Sequence, residues 1–165
     1  MSGSFDAKDL EKLGKDLQKL QNAVPKTLEK CTKDLAGRLY AMTVKRTPVG
    51  DYEDTYELED DGDNKFLVMS SKKGGTLRRG WIVRGPYSFG GFYVCELINP
   101  VEYAPYVEYG HRQTPGRYVP AIDRTLVRNW VPGYFMLTKS LNDLKKVAPN
   151  VIQKNIDDMM KGVFG

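Results

Sequence analysis

Apolar residues recur every three or four positions through the first third of the chain, and this spacing constrains the fold more than any other feature. The stripe comprises Leu10, Leu13, Leu17, Leu20, Val24, Leu28, Cys31, Leu35, Leu39 and Met42. Residues at this spacing lie along one side of an α-helix, so the pattern predicts a long N-terminal helix or two collinear helices. Asp6 is a suitable N-cap, and Pro48 and Gly50 end the pattern. Pro25 lies inside the stripe, where we expect a kink or a break.

The middle third has the composition of β-strands. Short apolar and aromatic runs at 66–69, 81–83 and 91–98 are bounded by glycine and proline. A second helical stripe then runs from Phe135 to Met160, and Pro149 inside it predicts a bent or two-part helix. The order of these elements predicts an α+β fold, in which an antiparallel β-sheet is packed by a long N-terminal helix and a C-terminal helix.

A single domain covering residues 1–165 is expected, with an acidic loop inserted at about 51–71. Eight acidic residues and no base lie between Asp51 and Asp63, so the remainder of the chain is strongly basic although the net charge is only +4. We expect this loop to be mobile and solvated, and its spacing does not match a calcium-binding EF-hand loop. A basic body suits DNA or an acidic protein partner, and charge alone does not choose between them.

The residue types that carry most enzyme chemistry are scarce. Cys31 and Cys95 lie far apart without a CxxC spacing, so two buried, reduced thiols are expected. The single histidine, His111, argues against most zinc sites and most histidine-centred catalysis. The glycine-rich stretch 85–91 opens onto a strand rather than a helix, which excludes a nucleotide loop. We therefore expect no cofactor, no metal and no enzymatic activity.

No apolar run approaches the ~18 residues that span a bilayer. The first residues have neither a basic region nor an apolar core, so we expect no signal peptide and no membrane partner. Synthesis and assembly in the cytoplasm follow as the expectation.

The densest segment runs from residue 99 to residue 112. Its three tyrosines, Tyr103, Tyr106 and Tyr109, recur every third position, and a turn or short helix would bring their rings together. Exposed tyrosines of this kind are favoured at protein interfaces. Two other interpretations remain open: a packing corner between the sheet and the last helix, or an acid–base site of Glu102 or Glu108 with His111. The latter lacks a nearby nucleophile and is a weak constellation.

A basic turn lies at residues 76–81 and contains the adjacent arginines Arg78 and Arg79, followed by Trp81. The guanidinium fork suits a carboxylate or a phosphate, so the pair is a candidate partner contact. The alternative is a solvated turn from which Trp81 enters the core.

Residues 103–112, Tyr-Ala-Pro-Tyr-Val-Glu-Tyr-Gly-His-Arg, resemble the signature of a family of tail-completion, head–tail joining proteins. Its members occur in tailed phages, prophages and phage-like bacteriocin particles. Residues 47–51 and 75–81 resemble the two halves of the family's Thr-Pro-Val-Asp-Thr-Gly-x-Leu-Arg-Arg-type stretch, which the acidic insertion splits in this chain. Residues 131–137 resemble a run that precedes the family's last helix, so the resemblance extends from about Leu28 to the C-terminus.

The resemblance implies a structural virion protein of the neck or head-proximal tail that forms a hexameric or larger ring, completes the tail and joins it to the head. Its partners would be copies of itself, the neighbouring connector and tail proteins, and DNA passing through the channel. Two alternatives stay open: a tail-terminator ring that caps the tail tube, and a non-specific DNA-binding module.

Contacts in such a ring pair two different patches of one protomer. We hypothesise that the acidic loop meets a basic patch containing Arg78 and Arg79, and that the tyrosine segment contributes further contacts. The predicted interface residues are Arg78, Arg79, Trp81, Tyr103, Tyr106, Glu108, Tyr109, His111, Arg112, Asp60 and Asp61.

Overall fold

The computed structural model describes residues 6–50, 74–120 and 124–165 fully, and residues 55–60 and 65–70 by their backbone. The helices of this part of the chain are α1 (Ala7–Arg46), α2 (Thr76–Arg79), α3 (Ala104–Tyr109) and α4 (Met136–Phe164). The strands are β1 (Thr55–Asp60), β2 (Lys65–Ser70), β3 (Ile82–Phe89), β4 (Phe92–Ile98), β5 (Gly110–Arg112), β6 (Tyr118–Val119), β7 (Arg124–Thr125) and β8 (Trp130–Pro132). No described helix contains a stretch that is both long and apolar enough to cross a membrane.

The predicted α+β class is confirmed, because the chain has a long first helix, antiparallel strands in small sheets and a long last helix. The strands pair two at a time, β1 with β2, β3 with β4, β5 with β8 and β6 with β7, rather than in one continuous sheet. The last two pairs are short because glycine and proline interrupt residues 110–133 at frequent intervals.

Both internal prolines lie within unbroken helices. α1 continues through Pro25 and α4 continues through Pro149, so neither helix is broken or divided into two parts. The kink or bend expected at each proline stays a prediction. A helical proline leaves the carbonyl four residues earlier without its partner. Gln21 and Lys145 are exposed at those positions, so water can donate a hydrogen bond to the carbonyl in place of the missing N–H.

Part of the expected acidic loop is a strand. Residues 55–60 pair antiparallel with residues 65–70, from Thr55 opposite Ser70 to Asp60 opposite Lys65. Tyr56 and Leu58 alternate with acidic residues, which is typical of a strand. The high charge of the segment led instead to the expectation of a solvated loop. The remainder of the predicted loop, including Asp61, lies outside the described residues.

The chain divides into two compact units. The first unit contains Met1–Ala41, Val83–Ile98 and Lys139–Gly165, and the second contains Met42–Ile82 and Asn99–Thr138. In the first unit the buried apolar residues include Cys31, Val151 and Val163. The buried Asn155 side chain donates hydrogen bonds to the Val151 carbonyl at 2.9 Å and to the Asp34 carboxylate at 3.3 Å. This amide therefore ties α4 to α1.

The second unit has a small and partly polar core. Its buried apolar residues are Leu77, Trp81, Ala104 and Met136, and its buried polar residues are Thr43, Thr47 and Glu108. A polar core of this kind is stable only if each group finds a hydrogen-bond partner. The partners of Thr47 and Glu108 determine the geometry of the candidate site.

Candidate interaction site

The tyrosine segment, residues 99–112, forms a short helix, one of the two local structures considered for it, followed by a strand that was not predicted. Pro105 lies in the first turn of α3, a position that tolerates the missing N–H. Gly110, with a φ of 84°, ends the helix and begins β5. Tyr103, Tyr106 and Tyr109 are all exposed. The segment thus presents three phenol rings to solvent on a proline-stiffened turn of helix.

Glu108 points in the opposite sense and is only 6% exposed. Its Oε2 accepts the backbone N–H of Leu137 at 3.0 Å, and its Oε1 accepts the backbone N–H of Thr138 at 2.9 Å and the Thr138 hydroxyl at 2.7 Å. These N–H groups belong to the first turn of α4, which has no partners within its own helix. A carboxylate is also favoured there by the helix dipole. Glu108 is therefore a helix cap supplied by a distant segment.

The backbone completes this junction from the other side. The carbonyls of Val107 and Glu108, near the end of α3, accept the N–H groups of Tyr134 at 2.8 Å and Phe135 at 3.0 Å. Phe135 has a φ of 55°, an uncommon conformation for a residue with a side chain. The carbonyls near the end of α3 and the N–H groups at the start of α4 thus both find hydrogen-bond partners at this junction.

Two glycines allow residues 108–110 and residues 131–133 to approach each other closely at this junction. A Cβ on Gly133 would collide with the Glu108 carbonyl oxygen. A Cβ on Gly110, whose φ is also positive, would lie 2.5 Å from the Val131 carbonyl oxygen. Both positions therefore require glycine.

Arg78 and Trp81 converge on the end of α1. The Arg78 guanidinium donates to the Thr47 carbonyl through Nε at 2.9 Å and also through Nη2. The Trp81 indole N–H donates to the Thr47 hydroxyl at 2.8 Å, and that hydroxyl donates to the Thr43 carbonyl at 2.7 Å. The prediction that Trp81 enters the core is confirmed, since it is 7% exposed. Arg78 is half-buried and caps α1, an internal role that the sequence did not indicate.

The remaining predicted interface residues differ in their exposure and in the elements that carry them. Arg79 is exposed and donates to the Gly74 carbonyl at 3.1 Å, and Arg112 is exposed on β5. His111 is half-buried, with its ring edge against the Tyr106 ring at a centroid distance of 5.9 Å. Among the described residues its Nδ1 has no hydrogen-bond partner. Asp60 ends β1, and the interface role of all these residues stays a prediction.

An open cleft of about 540 Å³ lies beside the tyrosine segment. Its walls are Pro48, Val49, Gly50, Gly74, Gly75, Thr76, Leu77, Tyr103, Val107 and Tyr134. Gly50 and Gly74 stand on either side of the inserted strands β1 and β2, and a Cβ on Gly74 would collide with the Gly50 carbonyl oxygen. The insertion therefore begins and ends at one point on the rim of this cleft.

The first unit carries an aromatic surface that the sequence reading missed. Gly90 and Gly91 have φ values of 57° and 83°, which a two-residue turn between β3 and β4 requires. Such a turn pairs Phe89 with Phe92 and brings them to one face of the hairpin. They are 83% and 72% exposed. The two phenylalanines flanking Gly-Gly are a signal for this tip, but their exposure depends on tertiary packing.

The described residues contain no group of three or more histidine, cysteine or acidic side chains that could hold a metal ion. Both cysteines are free thiols; Cys31 is buried as predicted, whereas Cys95 is only half-buried. Burial raises the pKa of Cys31, the Asp34 carboxylate raises it further, and Lys30 opposes the rise. Burial likewise raises the pKa of Cys95, with Lys33 opposing. Neither thiol has the lowered pKa of a reactive nucleophile.

The comparisons with known proteins agree with this picture. The model of the HK97-gp10-like family of bacteriophage tail components matches residues 11–110, which include α1, the insertion, the hairpin and the tyrosine helix. The similar run at 131–137 lies beyond the matched residues. No curated protein and no solved structure matches the chain. Because the family match covers more than half of the sequence, the chain belongs to the HK97-gp10-like family of bacteriophage tail components and is a structural, tail-related protein of the virion.

Proposed function

We propose that the protein forms a ring in the neck or at the head-proximal end of the tail, where it completes the tail and joins it to the head. The family supports a tail-related structural role. The observation that carries the ring itself is the presence of two different apolar surfaces on the first unit, each exposed in the single chain.

The first surface is the outer face of the β3–β4 hairpin. It comprises Tyr87, Phe89, Phe92 and Val94, all of them exposed. At roughly 200 Å² per ring, the exposed parts of the three aromatic side chains amount to roughly 400 Å². That is about half of what one partner contributes to a standard interface of about 800 Å² per side. This area equals that of the largest apolar patch on a typical monomer, and such patches are often functional, which supports an interaction site here.

The second surface is the leucine stripe at the start of α1. Every residue from Asp6 to Lys15 is exposed, and Leu10, Leu13 and Leu17 are each about half-exposed. A short stretch of helix without a packed face is marginal in water, so these turns gain stability when another surface covers the leucines. We assign the hairpin face of a neighbouring copy to this role.

Contact between two different patches of the same protein is head-to-tail, and repetition of that contact closes a ring when the rotation permits it. Exposed tyrosines and arginines suit contacts with other proteins. We therefore include among the proposed contacts with the neighbouring connector and tail proteins the exposed residues Tyr103, Tyr106, Tyr109 and Arg112. The acidic segment that contains Asp60 and Asp61, with Arg79 as a basic counterpart, stays part of this proposal.

The test is a double substitution, Phe89→Ser with Phe92→Ser, in the complete phage. We expect a folded monomer with an unchanged melting temperature, and particles that separate into full heads and complete tails. Val127→Ser is the control, because Val127 is equally exposed but belongs to the second unit, outside both apolar surfaces. Normal particles from the double variant would contradict the proposal. Overlong tails would instead assign the protein to the terminator position.

A further inference from the structure

We propose that one face of α1 binds the phosphate backbone of duplex DNA. This lysine face consists of Lys8, Lys12, Lys15, Lys19, Lys26, Lys30 and Lys33. All seven are exposed. The proposal deepens the proposed ring by naming the surface that would line its DNA channel.

The spacing of these lysines follows the helix repeat. At 3.6 residues per turn, the seven positions fall within a sector about 60° wide and extend about 38 Å along the axis. No other residue between Lys8 and Lys33 falls in that sector, so the sector contains lysine alone. α1 continues through Pro25, which keeps Lys19 and Lys26 two turns apart on the same face.

The acidic residues of the same stretch all lie outside the sector. They are Asp9, Glu11, Asp16, Glu29 and Asp34. Lys19 reaches sideways to Asp16 at 2.8 Å and Lys33 to Glu29 at 2.6 Å, which places these acids on the flanks of the lysine face. A solvated helix surface ordinarily mixes both signs, whereas lysines three and four positions apart repel each other and destabilise the helix. A partner of opposite charge offsets that repulsion.

Duplex DNA matches the length and the character of this face. It carries one negative charge per ~1.7 Å of axis without interruption, so about 38 Å corresponds to roughly eleven base pairs. Lysine is a point charge on a flexible stem that contacts phosphate without reading bases. A protein through which DNA of any sequence passes needs that kind of contact.

The position of the lysine face relative to the leucine stripe agrees with a ring. The lysines lie about 150° around the helix from Leu10, Leu13 and Leu17. If the leucines contact a neighbouring subunit, the lysines point away from that contact. One helix can therefore serve the subunit interface on one side and DNA on the other.

The test measures binding of the full chain to a fluorescent 30-base-pair duplex of arbitrary sequence, by anisotropy at increasing KCl. We expect sequence-independent binding that weakens steeply with salt. The triple variant Lys12→Gln, Lys15→Gln and Lys19→Gln should reduce the slope of log K against log salt by about 2.7, since each phosphate contact contributes about 0.9. Glutamine preserves helix propensity, so α1 stays folded.

The matched control is Lys145→Gln, Lys154→Gln and Lys161→Gln on α4, which removes equal charge from exposed positions, with Lys145 on the opposite side of that helix from the other two. An unchanged slope in this control supports the proposal. An equal loss in both triple variants, or no duplex binding by the unmodified chain at low salt, overturns it. A peptide of residues 51–63 that binds the chain when DNA does not would assign the lysine face to the acidic segment of a neighbouring copy. Monomers suffice for this measurement, so a failure of the ring would be seen separately.

Discussion

Glu108 accepts two hydrogen bonds from Thr138, one from its backbone N–H at 2.9 Å and one from its hydroxyl at 2.7 Å. Together with the bond from Leu137, they fix the start of α4 to the end of the tyrosine helix. A buried carboxylate would be unfavourable without such partners, and three donors with a helix N-terminus compensate its desolvation. The tyrosines are therefore presented from a rigid junction.

Removing this cap should weaken the fold. Glu108→Ala leaves two helix N–H groups and the Thr138 hydroxyl without their acceptor, so we expect the free energy of unfolding to fall by about 2–4 kcal/mol. Glu102→Ala is the control, because Glu102 is exposed in the same segment and should change stability by less than about 0.5 kcal/mol. Urea unfolding of both variants gives the values. Equal stabilities would show that Glu108 contributes nothing as a cap.

The close approach of Gly133 to the Glu108 backbone predicts that alanine has opposite effects on stability at Gly133 and at Gly162. Gly133→Ala must displace the backbone and should destabilise the protein by about 1–3 kcal/mol. Gly162→Ala in α4 meets nothing within 4 Å and should stabilise the protein by about 0.5–1 kcal/mol, because alanine is the better helix former. Thermal unfolding distinguishes the two. A stabilising Gly133→Ala would refute the tight junction.

Thr47 links the end of α1 to the basic turn. Thr47→Val keeps the shape of the side chain but leaves the buried indole N–H of Trp81 without its acceptor. We expect a loss of about 1–3 kcal/mol in the free energy of unfolding, together with a shift in tryptophan fluorescence. The neighbouring Thr76 is exposed, so Thr76→Val serves as the control and should leave both readouts unchanged. An unperturbed Thr47→Val variant would be inconsistent with this contact.

The raised pKa values of Cys31 and Cys95 predict a pH dependence. Because the folded state holds these protons more tightly than the unfolded state does, the stability they confer is complete below the unfolded pKa and is lost as pH rises through the folded pKa. Alkylation by iodoacetamide requires the thiolate. Its rate in the folded protein should therefore rise at higher pH than in urea-unfolded protein. The reverse order of the two pH profiles would contradict the assigned burial.

Local spacing predicted the elements that are set locally. The three-to-four spacing identified α1 and α4, because helix periodicity depends on neighbouring residues, whereas the tyrosine spacing left a turn or a short helix open at α3. The spacing of the lysines in α1 also indicates the lysine face, but the sequence analysis considered the basic residues only through their total charge. The strand at 55–60 was missed because its acidic residues masked the alternation of Tyr56 and Leu58.

The rest depends on contacts between distant segments. Nothing near Glu108 in the sequence indicates that it caps a helix that begins at Met136, and nothing near Arg78 indicates that Thr47 is its acceptor. Of the two outcomes predicted at each proline, the break did not occur, because a helix can continue where water reaches the carbonyl that the proline leaves unpaired. Leu10 fits the apolar stripe, yet it is 55% exposed, because spacing alone does not reveal which part of a long stripe is covered by other elements.

The most direct test of the central claim is the mass of the protein measured free in solution and again in the neck and tail complex isolated from disassembled particles. The account predicts a monomer when free and a closed ring of hexameric size or larger in the complex, with the Phe89→Ser, Phe92→Ser variant absent from it. A protein that is present in the particle as a single copy or a dimer would contradict the ring.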